Sequence, residues 1–173
     1  MRSNSSVINV YKKNNIKSEV VTQLLYGDTF KKIKKKGLWI KIKNDLDHYK
    51  GFIKNKKFPS NQKDTHKIYK LYANLYSKPS LKSKIRKKLS FGSKIKIIEK
   101  KNNFCKFDNL WIKKRDLKKK NYKTKNIFKN INQFKNIKYK WGGKHFSGVD
   151  CSGLVQLFFN FNNKFCHRDT KDQ

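Results

Sequence analysis

The chain has 173 residues, 36% hydrophobic and 14% aromatic, and 45 Lys+Arg against 11 Asp+Glu give it a formal net charge of +34. Regularly spaced Trp, Phe, Tyr and Ile exclude a disordered chain, and no run approaches the ~18 apolar residues that a membrane-spanning helix needs. Three scattered cysteines (Cys105, Cys151, Cys166) exclude a disulfide framework, and the absence of a CxxC pair or a His/Cys cluster leaves no metal or cofactor expected.

A charge of this size points to polyanionic partners. Only Arg2, Arg86, Arg115 and Arg168 are arginines, however, and the rest of the positive charge is lysine. Arginine is the preferred side chain for bidentate phosphate and base contacts, and no base-reading motif is present, so specific nucleic-acid recognition is not expected. Lys, Asn and Ile are all written by A/T-only codons, and a genome rich in A/T would raise all three together. The N-terminus lacks an apolar signal-peptide core, so the reading is a cytoplasmic chain; a longer N-terminus would make it periplasmic or wall-bound.

The first elements are short strands. Residues 28–33 and 37–43 alternate apolar and charged side chains, as half-buried strands do. Tyr26-Gly27-Asp28 marks a turn, and His48-Tyr49-Lys50-Gly51 is a turn leading into Phe52-Ile53. Sliding the chain against itself by 65 residues repeats this pattern without a gap from Val10 to Ile42: Val10-Tyr11 falls on Leu75-Tyr76, Tyr26-Gly27 on Phe91-Gly92, and Ile40 on Cys105. Cys105 is therefore expected in a core. Two copies of some 50–60 residues, each with about five short strands, suggest small closed barrels. The pattern resembles tandem bacterial SH3-like domains. Expected boundaries are 7–57 for the first barrel, 58–67 for a linker, 68–117 for the second barrel and 118–126 for a basic linker.

Ile127, Phe128, Ile131 and Phe134 follow at helical spacing and predict a short amphipathic helix. Next comes Tyr139-Lys140-Trp141-Gly142-Gly143, then Gly148-Val149-Asp150-Cys151-Ser152-Gly153-Leu154. The run after Cys151 reads as a helix with Asp150 as its N-cap. That places Cys151 in the first turn, where free backbone N–H groups stabilise an anion, whether a thiolate or the oxyanion of an acyl transfer. On the residues alone, a lone cysteine at a helix start is also what a small buried structural side chain looks like.

The whole pattern Y-x-W-G-G-x(4)-G-x-D-C-S-G-L, with Arg168-Asp169-Thr170 and Gln173 in the tail, closely resembles the NlpC-type papain-like cysteine peptidases over residues 139–173. Cys166-His167 stands where that family usually has Leu-Pro. The resemblance implies an α+β multidomain protein: two small all-β SH3-like barrels followed by the N-terminal helical part of a papain-like catalytic domain over residues 127–173. It further implies a hydrolase that cuts γ-D-glutamyl–diamino acid bonds in murein peptides with a free N-terminal L-Ala. Cys151 would be the nucleophile, Asp150 and Ser152 would help bind the substrate's free amine and backbone, and Tyr139 and Tyr49 would line the same pocket. An anionic wall polymer is the second expected partner.

The family's catalytic histidine lies some tens of residues beyond the cysteine. His145, His167, His48 and His66 do not match it and read as surface residues. The expectation is a truncated peptidase, inactive by itself, in which the apolar face of residues 154–159 is left exposed. The alternatives are a non-catalytic wall-binding module or an inactive remnant, and more remotely a polycationic nucleic-acid binder.

Overall fold

Strands β1 (Val7–Tyr11), β2 (Val20–Leu25), β3 (Phe30–Lys36), β4 (Trp39–Asn44) and β5 (Lys50–Lys54) form one antiparallel sheet in the order β2-β1-β5-β4-β3. The structure is a computed structural model and describes residues 1–173. In β4 the predicted alternation puts Ile40 and Ile42 inward, where they meet Val10, Leu24, Phe30 and Ile53. β3 starts two residues later than the pattern suggests because Asp28 is held in the turn, its Oδ2 accepting the Leu25 N–H at 2.9 Å.

The second unit consists of β6 (His66–Ile68), β7 (Tyr72–Tyr76), β8 (Ile85–Ser90), β9 (Lys94–Ile95), β10 (Glu99–Lys101), β11 (Phe104–Phe107), β12 (Leu110–Lys113) and β13 (Leu117–Lys119). Its larger sheet runs β8-β7-β12-β11-β10, the same order as the first sheet, and β13-β6-β9 form a smaller one. The two larger sheets even share a β-bulge, between Val10 and Tyr11 in one and between Leu75 and Tyr76 in the other. Cys105 lies in the second core beside Leu75, Leu89 and Ile112, as the repeat predicts. β6 and β13 reach into stretches expected as linkers, where backbone pairing with each other and with β9 orders them.

The two units are joined by buried polar contacts. The Arg2 guanidinium donates to Asp64 Oδ1 at 2.7 Å and to the Lys94 carbonyl at 2.8 Å, and lies over the Tyr26 ring. The Tyr26 hydroxyl donates to Asp108, and burial with that neighbour pushes its pKa up to about 12. Gly27 is required here: φ is +89°, and a Cβ would collide with the Lys94 carbonyl.

The amphipathic helix expected over residues 127–134 does not form as an α-helix. Successive N–H groups bond three residues back (Ile131 to Phe128, Gln133 to Asn130, Ile137 to Phe134), and a single 3₁₀ turn spans Ile131–Phe134. Asparagines at 126, 130, 132 and 136 interrupt the segment, and the Asn126 side chain takes the Phe128 N–H for itself. Phe134 is buried all the same.

A small hairpin of β14 (Lys144–His145) and β15 (Gly148–Val149) leads into α1 (Cys151–Phe161), the one α-helix. The apolar face of α1, expected to be exposed, is covered. Leu157, Phe158 and Phe161 pack with Leu25 of the first unit, Phe91 of the second, and Phe134 and Val149. Phe91 stacks on Phe161 at 4.5 Å and lies 5.2 Å from Phe158. Leu25 and Phe91, beside the turns of the two β units, supply the apolar surface that covers this face. No helix of the chain is long and apolar enough to cross a membrane.

Candidate active site

The site is assembled around Asp150. As the N-cap of α1 it accepts the Gly153 N–H at Oδ1 (2.7 Å), and its Oδ2 accepts the Gly142 N–H at 2.8 Å. Arg168 closes the arrangement from the tail. Its guanidinium donates to Asp150 Oδ2 at 2.6 Å, to Ser152 Oγ at 2.6 Å and to Thr22 Oγ1 of β2 at 3.0 Å. One buried carboxylate thus ties the glycine turn, the start of the helix and the tail together, and the arginine fork links all three to the first barrel. Gly142 has φ +70°, and a Cβ there would collide with the Val20 carbonyl of β2, so only glycine lets this turn lie against the barrel.

Cys151 is exposed at the first residue of α1, whereas Cys105 and Cys166 are buried. It opens onto a cleft of about 410 Å³ that Asp150, Ser152, Tyr139 and Tyr49 also line. All five residues singled out from sequence therefore meet at one place, although Tyr49 comes from the first barrel, 102 positions before Cys151 in the numbering. The Tyr49 hydroxyl donates to Asp169 Oδ2 at 3.3 Å; burial and the Asp169 charge push its pKa up to about 12, so it stays a donor.

Further residues of the cleft were not singled out, among them Glu19, Trp141, Arg168 and Asp169. Trp141 Nε1–H donates to Glu19 Oε1 at 2.8 Å, and this bond, with Lys12 beside it, holds the Glu19 carboxyl below its usual range. Glu19 is one of only two glutamates in the chain, and that rarity is the only sequence signal it offers. Trp141, Arg168 and Asp169 stood in the motif already, but nothing in the spacing distinguished a cleft wall from a buried clamp.

None of the four histidines lines the cleft. His48 and His167 are exposed, as expected. His145, expected at the surface, is instead buried: its Nδ1 is 2.8 Å from Ser147 Oγ, and its ring lies 4.0 Å from that of Phe146. The correction has a simple cause, since the β14–β15 hairpin is pressed between β2 and α1 and carries its side chains inward. Desolvation lowers the His145 pKa to about 4. Between about pH 6.5 and 4 the unfolded chain therefore binds a proton that the folded chain does not, so stability falls as pH falls, by roughly 3 kcal/mol at pH 4. Urea midpoints at pH 7, 5.5 and 4 check this: the loss shrinks in His145→Gln, and parallel profiles would refute it.

Cys166 is buried, its thiol pKa raised by desolvation, and its carbonyl accepts from Gln156 Nε2 at 3.0 Å, which ties the tail to the middle of α1.

A five-stranded β unit, a glycine turn and an accessible thiol at a helix start meet at one cleft. Comparison with known proteins finds that residues 5–58 match the bacterial SH3 domain and residues 136–173 match NlpC/P60, a cysteine peptidase family. A crystal structure of an NlpC/P60 family protein from Bacillus cereus superposes with a TM-score of 0.81 at 19% identity, covering 97% of this chain and 74% of that one. NlpC2 and NlpC1 from Trichomonas vaginalis align at 18% identity with TM-scores of 0.34 and 0.33, over 99% and 97% of this chain and 68% and 63% of theirs. No curated protein matches the chain by sequence.

Proposed function

We propose that the cleft binds a murein peptide with a free N-terminal L-Ala and presents its γ-D-glutamyl–diamino acid bond to Cys151. The observation that carries this reading is the placement of charge. In a chain of net charge +34, two of its few carboxylates, Glu19 and Asp169, border the same cleft as the exposed thiol. Asp169 accepts from the Tyr49 hydroxyl, and Glu19 accepts from Trp141 and from Lys12 Nζ at 3.2 Å. Lys12, Lys50 and Lys171 line the cleft too, and the Asp169 and Glu19 carboxylates are the groups among them that suit an ammonium, with Ser152 and Tyr139 in the same wall. Asp150 serves mainly by positioning, since protein groups occupy both of its oxygens.

The chemistry is thiol acyl transfer. Cys151 Sγ bonds to the γ-glutamyl carbonyl carbon, and the oxyanion faces the free N–H groups of the first turn of α1. The C–N bond then breaks, the diamino acid leaves as an amine, and water releases the acyl group. The thiol proton needs a base, and the histidines of residues 1–173 stand outside the cleft. Residues 1–173 accordingly bind the peptide without turning it over.

Calorimetry of residues 1–173 with L-Ala-γ-D-Glu-diaminopimelate tests both statements. Binding is expected to weaken about tenfold or more when the peptide amine is acetylated or Glu19 is changed to Gln, as the loss of a charge-assisted contact predicts. Equal affinity for the acetylated peptide would rule out the amine subsite. Turnover abolished by Cys151→Ala would overturn the statement that these residues do not suffice.

A further inference from the structure

The outward face of the first barrel is laid out in three rows by the strand register. Lys31, Lys43 and Lys50 stand abreast on β3, β4 and β5. The next row is Lys34, Lys41 and Phe52, and the third is Lys36, Trp39 and Lys54. Directly paired residues share a face, so seven lysines and two aromatic rings form one side of the sheet while Ile40, Ile42 and Ile53 form the other. No acidic side chain stands in any row, and none of the seven lysines makes an ion pair.

Lysine on an edge strand commonly serves only to block pairing with another chain. That accounts for β3. It does not account for β4 and β5, which lie inside the sheet and carry Lys41, Lys43, Lys50 and Lys54 outward. Nor is a general excess of lysine sufficient, because the second barrel is an internal control. Its matching rows include Glu99, paired with Lys106 at 3.4 Å, and its aromatics Phe104 and Trp111 are buried with Tyr76. The same composition gave one copy a face with an acidic residue in its rows and buried aromatics, and the other a face of unpaired lysines with no acid among them.

We infer that the outward face of β3-β4-β5 docks a linear, base-free phosphodiester polymer of the poly(glycerol phosphate) kind. Rows about 5 Å apart across the strands and about 7 Å apart along them offer ammonium groups at the repeat of a phosphodiester chain. The aromatics favour an aliphatic spacer over nucleobases. Trp39 is held edge-on by Tyr11 (5.4 Å, 87°), and Lys41 lies over the Phe52 ring, so neither presents a free platform for stacking. Lys50 also borders the Cys151 cleft, so a docked polymer would hold the chain on its surface with the cleft alongside.

The test uses the whole chain at about 0.15 M salt, where exposed charges more than ~8 Å apart are largely screened. Poly(glycerol phosphate) binding is measured for Lys34→Gln/Lys41→Gln/Lys43→Gln and for a control triple on the second unit, Lys82→Gln/Lys87→Gln/Lys100→Gln. Both lose the same charge, and circular dichroism checks that both stay folded. The first triple is expected to weaken binding at least about tenfold and the control less than about twofold, given roughly fivefold per lysine near an anionic surface. Equal losses would mean diffuse polycation binding and overturn the proposal. Single-stranded DNA binding more tightly, with the same loss in the first triple, would make this a nucleic-acid face and overturn it too.

Discussion

Replacing Arg168 by alanine destabilises the fold by about 3–5 kcal/mol, the usual cost of leaving one member of a buried ion pair alone. The residue is 4% exposed, and its fork meets Asp150, Ser152 and Thr22 together. Without it the Asp150 carboxylate stays buried with only the Gly142 and Gly153 N–H groups and a long Ser152 contact to offset its charge. Lysine is no substitute, since a single ammonium cannot reach three partners lying in different directions, so Arg168→Lys recovers only part of the loss. Urea unfolding followed by circular dichroism measures this. A variant within about 0.5 kcal/mol of the parent, the range of ordinary surface changes, would show that the clamp contributes little. The parent Asp150→Asn/Arg168→Met pair separates charge from packing: if the penalty comes from the orphaned carboxylate, removing both charges costs less than removing Arg168 alone.

Phe158→Ala has a comparable expected cost, about 3–5 kcal/mol for a buried aromatic ring. Phe158 is 1% exposed and touches Phe91 of the second barrel, Phe134 of the 3₁₀ turn and Phe128. With Leu157 and Phe161 it holds α1 to the rest of the chain. Phe165→Ala, at a residue 53% exposed, serves as the comparison and should stay within about 0.5 kcal/mol. If the apolar face of α1 were exposed, as expected from sequence, both substitutions would be small and alike. Because the cleft depends on the seating of α1 against the β14–β15 hairpin, which in turn packs on β2, Phe158→Ala should also lower peptide affinity, while Phe165→Ala should not.

The two repeated β units were readable from sequence because their information is local and repeated. Alternating side chains specify a half-buried strand, and a turn glycine with positive φ recurs at 27 and 92. The 65-residue offset carried both features, together with a core position for Cys105 that the structure confirms. The segment over residues 127–134 was misread for the opposite reason. Its apolar spacing suits a helix, but four asparagines compete for the backbone, and spacing counts say nothing about that competition. His145 was misread because burial belongs to the hairpin that carries it, and two-residue strands have no pattern to show which way a side chain faces.

The motif around Cys151 was legible as chemistry: a cysteine after an N-cap aspartate has to sit at a helix start. Its surroundings were not legible. Glu19, Tyr49 and Thr22 come from the first barrel, Phe91 comes from the second, and Arg168 returns from the tail. Local sequence determines where a strand, a turn or a cap can form, since those choices rest on neighbours a few residues apart. Which distant side chains then share a cleft, which apolar face is covered, and which lysines stand together without an acid among them are set by how the units pack. Such contacts lie many residues apart in the chain, and no local pattern encodes them.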